Sequence, residues 1–572
     1  MSLQSCSRAR WNRVWGHETS WDTSYERPSE NYLGGYRVMN PSGDAPLDRE
    51  NLERYFAQLL LVEKLDAVSD AEAMKSIGLL VDYSSDLGRD DGIIKALQWS
   101  DELGTRALSD SDTILLEYFR ANAWSARRRL KHTTKDSAWN WEQPELQKEI
   151  LHLRRAIRHP GFAGIDPIRK CQIHTNLANA LNHVGRFVEA IRHWEESQSS
   201  IPTFGMALGN LGLGLASYAR CLPGDREKLA FLLCSHTALR RATTDPTVTY
   251  APDEYSNAAG AFEKTLAQIE ADIDVDAVRN VIKLDGFGIG RTKQERTYRT
   301  WALNERLFLN PLNDLGPHAI AGRDNLSLPD YVTPIDEPPT LTGLFNQMKQ
   351  EYVSARWFLY ESVQARKTHF SDRAVLLYNT LDYPSYSLAV ERAKAAYRIA
   401  YSIFDKIAFF LNDYAKLEIP SRQVYFKTIW YSDPRARPLN IRPELVTLAN
   451  WPLRGLFWLS KDLFDRDFQD SCEPYAEDLY VIRNCLEHSY LKVHELLPSP
   501  PSSEDWFRDR LAFSVSRDSF ISKTHLVLRR VRASLIYLSL GMYQEERRRT
   551  GERPAGLLAS HGLESWRDSW KI

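Results

Sequence analysis

The 28 residues from Thr175 to Pro202, TNLANALNHVGRFVEAIRHWEESQSSIP, constrain the fold of this chain more than any other stretch. Leu177, Ala178 and Leu181 recur on one helical face, Gly185 interrupts the pattern, and Phe187, Ala190 and Trp194 open a second apolar stripe that Pro202 closes. Small residues let two antiparallel helices cross closely, large ones fill the space between them, and glycine followed by a distant proline marks the turn and the stop. One such hairpin leaves an apolar face uncovered, so it is stable only when stacked on neighbours. Leu208, Leu211, Gly212 and Leu215 restart the pattern, which CLPGDREK then stretches before a helix over Leu229 to Arg241. Upstream, Ile93 to Leu108 and Leu115 to Leu130 read as degenerate hairpins of the same array.

The spacing resembles the tetratricopeptide repeat, whose stacked hairpins form a concave groove; the resemblance implies a protein or peptide partner in that groove. With 572 residues, the chain is too long for one core, and two or three domains are expected. The expected fold class is all-α: a tetratricopeptide-like helical-repeat array followed by a C-terminal helical bundle. Residues 1–45, with Trp11, Trp15 and Trp21 in no helical or alternating period, read as an irregular arm whose tryptophans dock on the body. Residues 46–275 hold the repeats, residues 276–340 connect, and residues 341–572 form the bundle. Pro334, Pro338 and Pro339 mark the boundary, and GFGIG at 286–290 lacks the spacing of a phosphate-binding loop and reads as a turn. Helices of the bundle are expected at about Leu341–Thr368, Tyr386–Lys416, Arg442–Phe464, Tyr475–Leu497 and Asp518–Arg549.

Composition excludes little. Hydrophobic residues at 43% and charged residues at 26% are ordinary globular usage, and a net charge of -2 argues neither for nor against nucleic acid. Cys6, Cys171, Cys221, Cys234, Cys472 and Cys485 show no paired spacing for a zinc site, so no metal is expected. The N-terminal MSLQSCSRARWNRVWGHE lacks the apolar core of a signal peptide, and no run is long enough to span a membrane. The expected setting is the cytoplasm, with no membrane partner.

The stretch that bears chemistry is VIRNCLEHSY, Val481 to Tyr490. Arg-x4-His spacing also occurs at Arg127/His132, Arg154/His159 and Arg169/His174, but there the arginine is followed by Arg128, Arg155 or Lys170. Only Arg483 is followed by a polar uncharged residue, Asn484. On a helical wheel, Leu479, Ile482, Leu486, Tyr490, Val493 and Leu497 fall within about 80° of one another, a core-facing stripe. Asn484 and His488 lie on the opposite side, with Arg483 at the border; Arg483 and Glu487, four apart, are placed for a surface ion pair.

RNCLEH resembles the motif of the HEPN domain, an all-helical fold whose ribonuclease members carry an arginine, a polar residue and, a few residues on, a histidine. LLYNTLDYPSYSLAVERAKAAYRIAYSIFDKIAFFLNDY and LANWPLRGLFWLSKDL are similar to the LA2681-like subgroup, in which the domain follows tetratricopeptide repeats. The resemblance implies an endoribonuclease that cuts single-stranded RNA with neither metal nor cofactor and that serves antiviral defence or acts as a toxin. The substrate 2′-OH is the nucleophile; His488 would move its proton, Arg483 would steady the phosphorane, and Asn484 would orient the phosphate or the histidine. HEPN domains pair so that two motifs share one cleft, which implies a homodimer. Glu487, Asp405 and Lys406 are supporting candidates, the last two also readable as a core ion pair. Arg529, Arg530 and Arg532, with Arg547, Arg548 and Arg549, are candidates for following an RNA backbone or for a solvated face. The alternative is a non-catalytic adaptor whose repeats bind a protein while the bundle dimerises or binds a ligand.

Overall fold

The computed structural model describes residues 49–571 apart from 63–64, 66–67, 251–253, 335, 437–438, 447–448, 464–470, 496–508, 510 and 553–561. The N-terminal arm with its three tryptophans, and Leu497, lie outside the described residues. The fold is all-α, as the periodicities predict, with one short two-stranded sheet among the described residues. The first half runs through α1 (Arg49–Leu61), α2 (Asp70–Leu87), α3 (Asp90–Leu103), α4 (Asp110–Lys131), α5 (Pro144–Arg158), α6 (Pro167–His183) and α7 (Phe187–Ser200). It continues through α8 (Gly205–Cys221), α9 (Asp225–Thr244), α10 (Glu254–Asp272), α11 (Val275–Val281) and α12 (Lys293–Asn304). The second half contains α13 (Thr340–Gln364), α14 (Leu388–Tyr414), α15 (Trp451–Ser460), α16 (Ala476–His488) and α17 (Arg517–Glu552).

Local chemistry sets many of these ends. Ser69 and Glu72 form a reciprocal capping box at the start of α2, and Gly88 closes that helix with a left-handed φ of 68°. Pro167 and Pro452 occupy first turns, where a missing N–H costs nothing. Asn450 caps α15 by accepting from the Leu453 amide at 3.0 Å, so that helix starts nine residues later than the expected Arg442.

A small core around Phe56, Ile77, Leu80, Ile93 and Trp99 unites α1 to α4. A second core continues without a break from α4 to α17. Helices of the first half therefore bury apolar faces against the second half as well as against one another. Phe187, at the start of α7, shows this: its ring lies 4.6 Å from that of Trp451 and 4.9 Å from that of Tyr537. Beside it, the turn at Gly185 (φ 88°) meets Gly455 of α15 backbone to backbone. A Cβ on Gly455 would stand 2.2 Å from the Gly185 carbonyl oxygen, and neither backbone can yield. Gly455→Ala should therefore destabilise the protein by about 1–3 kcal/mol, read as a lower thermal midpoint. Gly343→Ala, in the exposed first turn of α13 with open space around it, should be neutral or slightly stabilising.

Next to this contact lies a buried charge cluster. Asp462 receives Arg154 and Arg186 from the first half, each at 2.6 Å, and Arg530 of α17 at 2.9 Å. Glu473 pairs with Arg158 at 2.7 Å and also with Arg530. Both carboxylates are fully shielded from solvent. Burial opposes their ionisation, but for Asp462 the charges of Arg154, Arg186 and Arg530 outweigh it, as Arg530, Arg158 and Arg154 do for Glu473. Both carboxyls stay ionised below the usual carboxylate range.

Candidate active site on helix α16

Helix α16 starts three residues after Glu473, so its first turn hangs on the charge cluster; Glu473 Oε1 accepts from the Tyr475 amide at 3.1 Å, and the Arg158 guanidinium lies 4.5 Å from the centre of the Tyr475 ring. Leu479 and Ile482 are buried, and the Tyr397 hydroxyl of α14 donates to the Leu479 carbonyl at 2.7 Å. The expected core stripe thus holds through Leu486, which packs against the same core partly buried. The helix ends at His488, nine residues before the expected Leu497. Ser489 leaves helical space (φ -147°, ψ -124°), and the chain enters strand β1 (Tyr490–His494), which pairs in parallel with β2 (Ala512–Ser516). Tyr490 and Val493 therefore belong to a strand. The physical reason is β2: its main chain takes up the hydrogen bonds of residues whose apolar spacing also suits a helix.

Arg483 is half-buried, and its Nη1 donates to Asn484 Oδ1 at 3.0 Å. Among the described residues Arg483 makes no ion pair, so the expected Arg483–Glu487 pair is absent; Glu487 lies 3.5 Å from Arg398 of α14 instead. His488 is exposed, and its side chain makes no hydrogen bond among the described residues. Five residues of helix separate Arg483 from His488 by about 7.5 Å along the axis and about 140° around it. The structure thus brings Arg483 and Asn484 together and leaves His488 apart.

Asp405 and Lys406 do not pair with each other. Asp405 accepts from the Phe426 amide at 3.1 Å; burial raises its carboxyl, against the pull of that amide and of the Arg483 charge. Lys406 reaches Glu351 of α13 at 2.7 Å and Ser402 Oγ at 3.1 Å.

The basic residues of α17 require correction. Arg530 and Arg532 are 3% and 2% exposed and cannot follow an RNA backbone. Arg530 belongs to the charge cluster, and Arg532 binds Asp314 at 2.6 Å together with the carbonyls of Phe308 and Asn310. Arg529 is one-third exposed but pairs with Glu305 at 2.5 Å. Arg548 and Arg549 pair with Glu545 on their own helix, and Arg547 donates to the Leu222 carbonyl at 3.2 Å. Arg529, Arg530 and Arg532 tie α17 to other elements of the molecule. Their carboxylate partners, Glu305, Asp462, Glu473 and Asp314, lie on distant segments that sequence spacing does not reveal.

Among the described residues no three His, Cys, Asp or Glu side chains gather as metal ligands, and no helix is long and apolar enough to cross a membrane. Comparison with known families bears on the region that holds the helix. Residues 332–545 match the LA2681-like HEPN family model. No curated protein and no solved structure matches the chain. The HEPN match takes in α13 to α16, both strands and most of α17, and so includes Arg483, Asn484, His488, Asp405 and Lys406. It does not extend into α1 to α12. At the family level a HEPN domain points to a ribonuclease or nucleotide-related role.

Proposed function

We propose that the HEPN domain is an endoribonuclease that cuts single-stranded RNA through Arg483, Asn484 and His488. The observation that carries this reading is the arrangement on α16: an arginine aligned by its neighbouring asparagine, one and a half turns before an exposed histidine at the helix end, inside the HEPN match. RNA supplies its own nucleophile. His488 takes the 2′-OH proton, the 2′-oxygen attacks phosphorus, the P–O5′ bond breaks and the 5′-oxygen takes a proton from water as it leaves, which the His488 imidazolium then restores. Arg483 offers donors to the charge that gathers on the phosphoryl oxygens. The products are a 2′,3′-cyclic phosphate and a 5′-hydroxyl, and DNA, lacking the nucleophile, is left intact.

One copy supplies half of this site, because Arg483 and His488 diverge around the helix. A second copy completes it. The surface beside His488 supports this reading: the α13–α14 connection exposes Leu376, Leu377, Tyr378 and Tyr383, a run too apolar to be left in water without a partner. That connection is tied to the strand that leaves His488, through the Ser385 amide on the Val493 carbonyl at 2.7 Å and the Tyr386 and Tyr490 hydroxyls at 3.2 Å. On this reading, the hairpins of the first half receive a protein or peptide and pass its presence to α16 through the Asp462–Glu473 cluster.

The test is incubation of the full-length protein with single-stranded RNA in EDTA, with the ends of the fragments identified. Cleavage to cyclic phosphate ends is expected from the wild type. Its absence, or cleavage undiminished in His488→Ala, assigns the protein to the adaptor class instead.

A further inference from the structure

A cleft of about 530 Å³ opens between the C-terminal end of α13, the loop after it and the starts of α14 and α17. Four side chains with a fixed positive charge line it, Arg366, Lys367, Arg392 and Arg517, against two acids, Glu361 and Asp372. Both acids are already engaged. Glu361 lies 3.2 Å from Arg392, and the two oxygens of Asp372 accept from the Leu388 amide at 3.1 and 3.0 Å. Arg517 is held by Glu495 at 2.8 Å. Arg366 and Lys367 remain, exposed at the rim and without an ion pair among the described residues.

Part of the lining is aromatic. Trp357 and Tyr360 line the cleft, their rings 5.5 Å apart, and Tyr298 backs both at 4.9 and 5.1 Å. A cleft that combines cations unpaired among the described residues with a braced aromatic lining recognises an anion joined to a flat ring, the chemistry of a nucleotide. The cleft also has a fixed relation to the helix end. Strand β1 starts two residues after His488, and its far end meets the cleft through Glu495 and Arg517. Its five residues span roughly 16 Å, a distance that a few nucleotides of single strand bridge.

We infer that this cleft is a substrate subsite: it holds a nucleotide of the RNA strand a few positions away from the bond cut at His488, with the backbone on Arg366 and Lys367 and a base against Trp357. The inference rests on the ribonuclease reading of α16 and adds where the strand runs.

The experiment separates the two. Binding is measured by fluorescence anisotropy with a labelled 12-mer of 2′-O-methyl RNA, which lacks the nucleophile, and cleavage is measured in parallel with the unmodified strand. Wild type and His488→Ala should bind alike. The Arg366→Glu/Lys367→Glu variant should bind at least about ten-fold more weakly at low salt and lose about 1.4 from the slope of log affinity against log salt, roughly 0.7 for each lost phosphate contact. Reversal of the exposed Arg373 and Arg422 together, both outside the cleft, controls for the same change in net charge. Because Arg366 and Lys367 are exposed, the variant should keep the wild-type thermal midpoint. Equal binding by the double variant, no binding by the wild type, or one-for-one displacement of the strand by a free mononucleotide overturns the inference. Wild-type binding without cleavage overturns only the nuclease reading; cleavage that the double variant leaves unchanged overturns only the subsite.

Discussion

His488→Ala should lower the rate of RNA cleavage by about two to four orders of magnitude, the usual contribution of a positioned proton-transfer group, while leaving the fold unchanged. The side chain is exposed, ends its helix and makes no hydrogen bond among the described residues, so its removal opens no cavity and strands no partner. Arg483→Ala should lose activity on the same scale through the missing phosphate donors, with a small cost in stability because its stem is half-buried and Asn484 loses a donor. Mixing the two inactive variants gives a sharper result. If Arg483 of one copy works with His488 of another, dissociation and reassociation yields mixed dimers that retain one of each, and cleavage returns. A mixture that stays inactive, or a strict monomer that cleaves at the wild-type rate, rules out the shared site.

The second large effect is on stability. Asp462→Asn should destabilise the protein by about 3–5 kcal/mol, because it leaves Arg154, Arg186 and Arg530 facing one another in a site closed to water. Glu189 at 2.5 Å from Arg186 and Glu473 beside Arg530 offset only part of that repulsion. The same groups set the response to acid. Asp462 and Glu473 titrate below the usual carboxylate range when folded, so their contribution is complete above the unfolded value near 4 and is lost as pH falls below it. Histidines extend the window upward. Burial pushes His174 down to about 4, and burial together with His174, 3.1 Å away, holds His193 well below its ordinary value. Both are neutral in the folded protein but protonate in the unfolded chain below about 6.5. Calorimetry should therefore show stability declining from about pH 6.5 downward, and more steeply below about pH 4. In Asp462→Asn the steeper limb should be shallower; an unchanged limb would mean that the cluster does not couple the two halves.

The sequence resolved the helices better than their assembly. Thr340–Gln364, Leu388–Tyr414 and Arg517–Glu552 match expectation to within a few residues, because a 3.6-residue apolar period over 25 residues or more leaves little choice of conformation. The Phe187, Ala190 and Trp194 stripe is buried as its spacing demands. In the candidate site, Arg483, Asn484 and His488 were legible because they form one local motif. The cleft at Arg366 and Lys367 was not, since it is made by four segments and has no motif. Arg530 and Arg532 were misread for a related reason: a basic run looks the same in sequence whether it faces water or distant carboxylates.

Helix content, the hairpin pattern of Thr175 to Pro202 and the order Arg483, Asn484, His488 follow from short-range spacing, and the sequence by itself determined them. Tertiary structure alone decided three things. It ended α16 at His488 by offering the next residues a parallel strand 22 positions further on. It buried Arg154, Arg186 and Arg530 around Asp462, drawing the first two from 308 and 276 residues away. It also turned the apolar face of the hairpins onto the HEPN domain through Phe187, Trp451 and Tyr537. Each depends on a partner remote in the chain, and the free energy of burying apolar surface or pairing a buried charge is fixed by what lies opposite, which a local pattern does not encode.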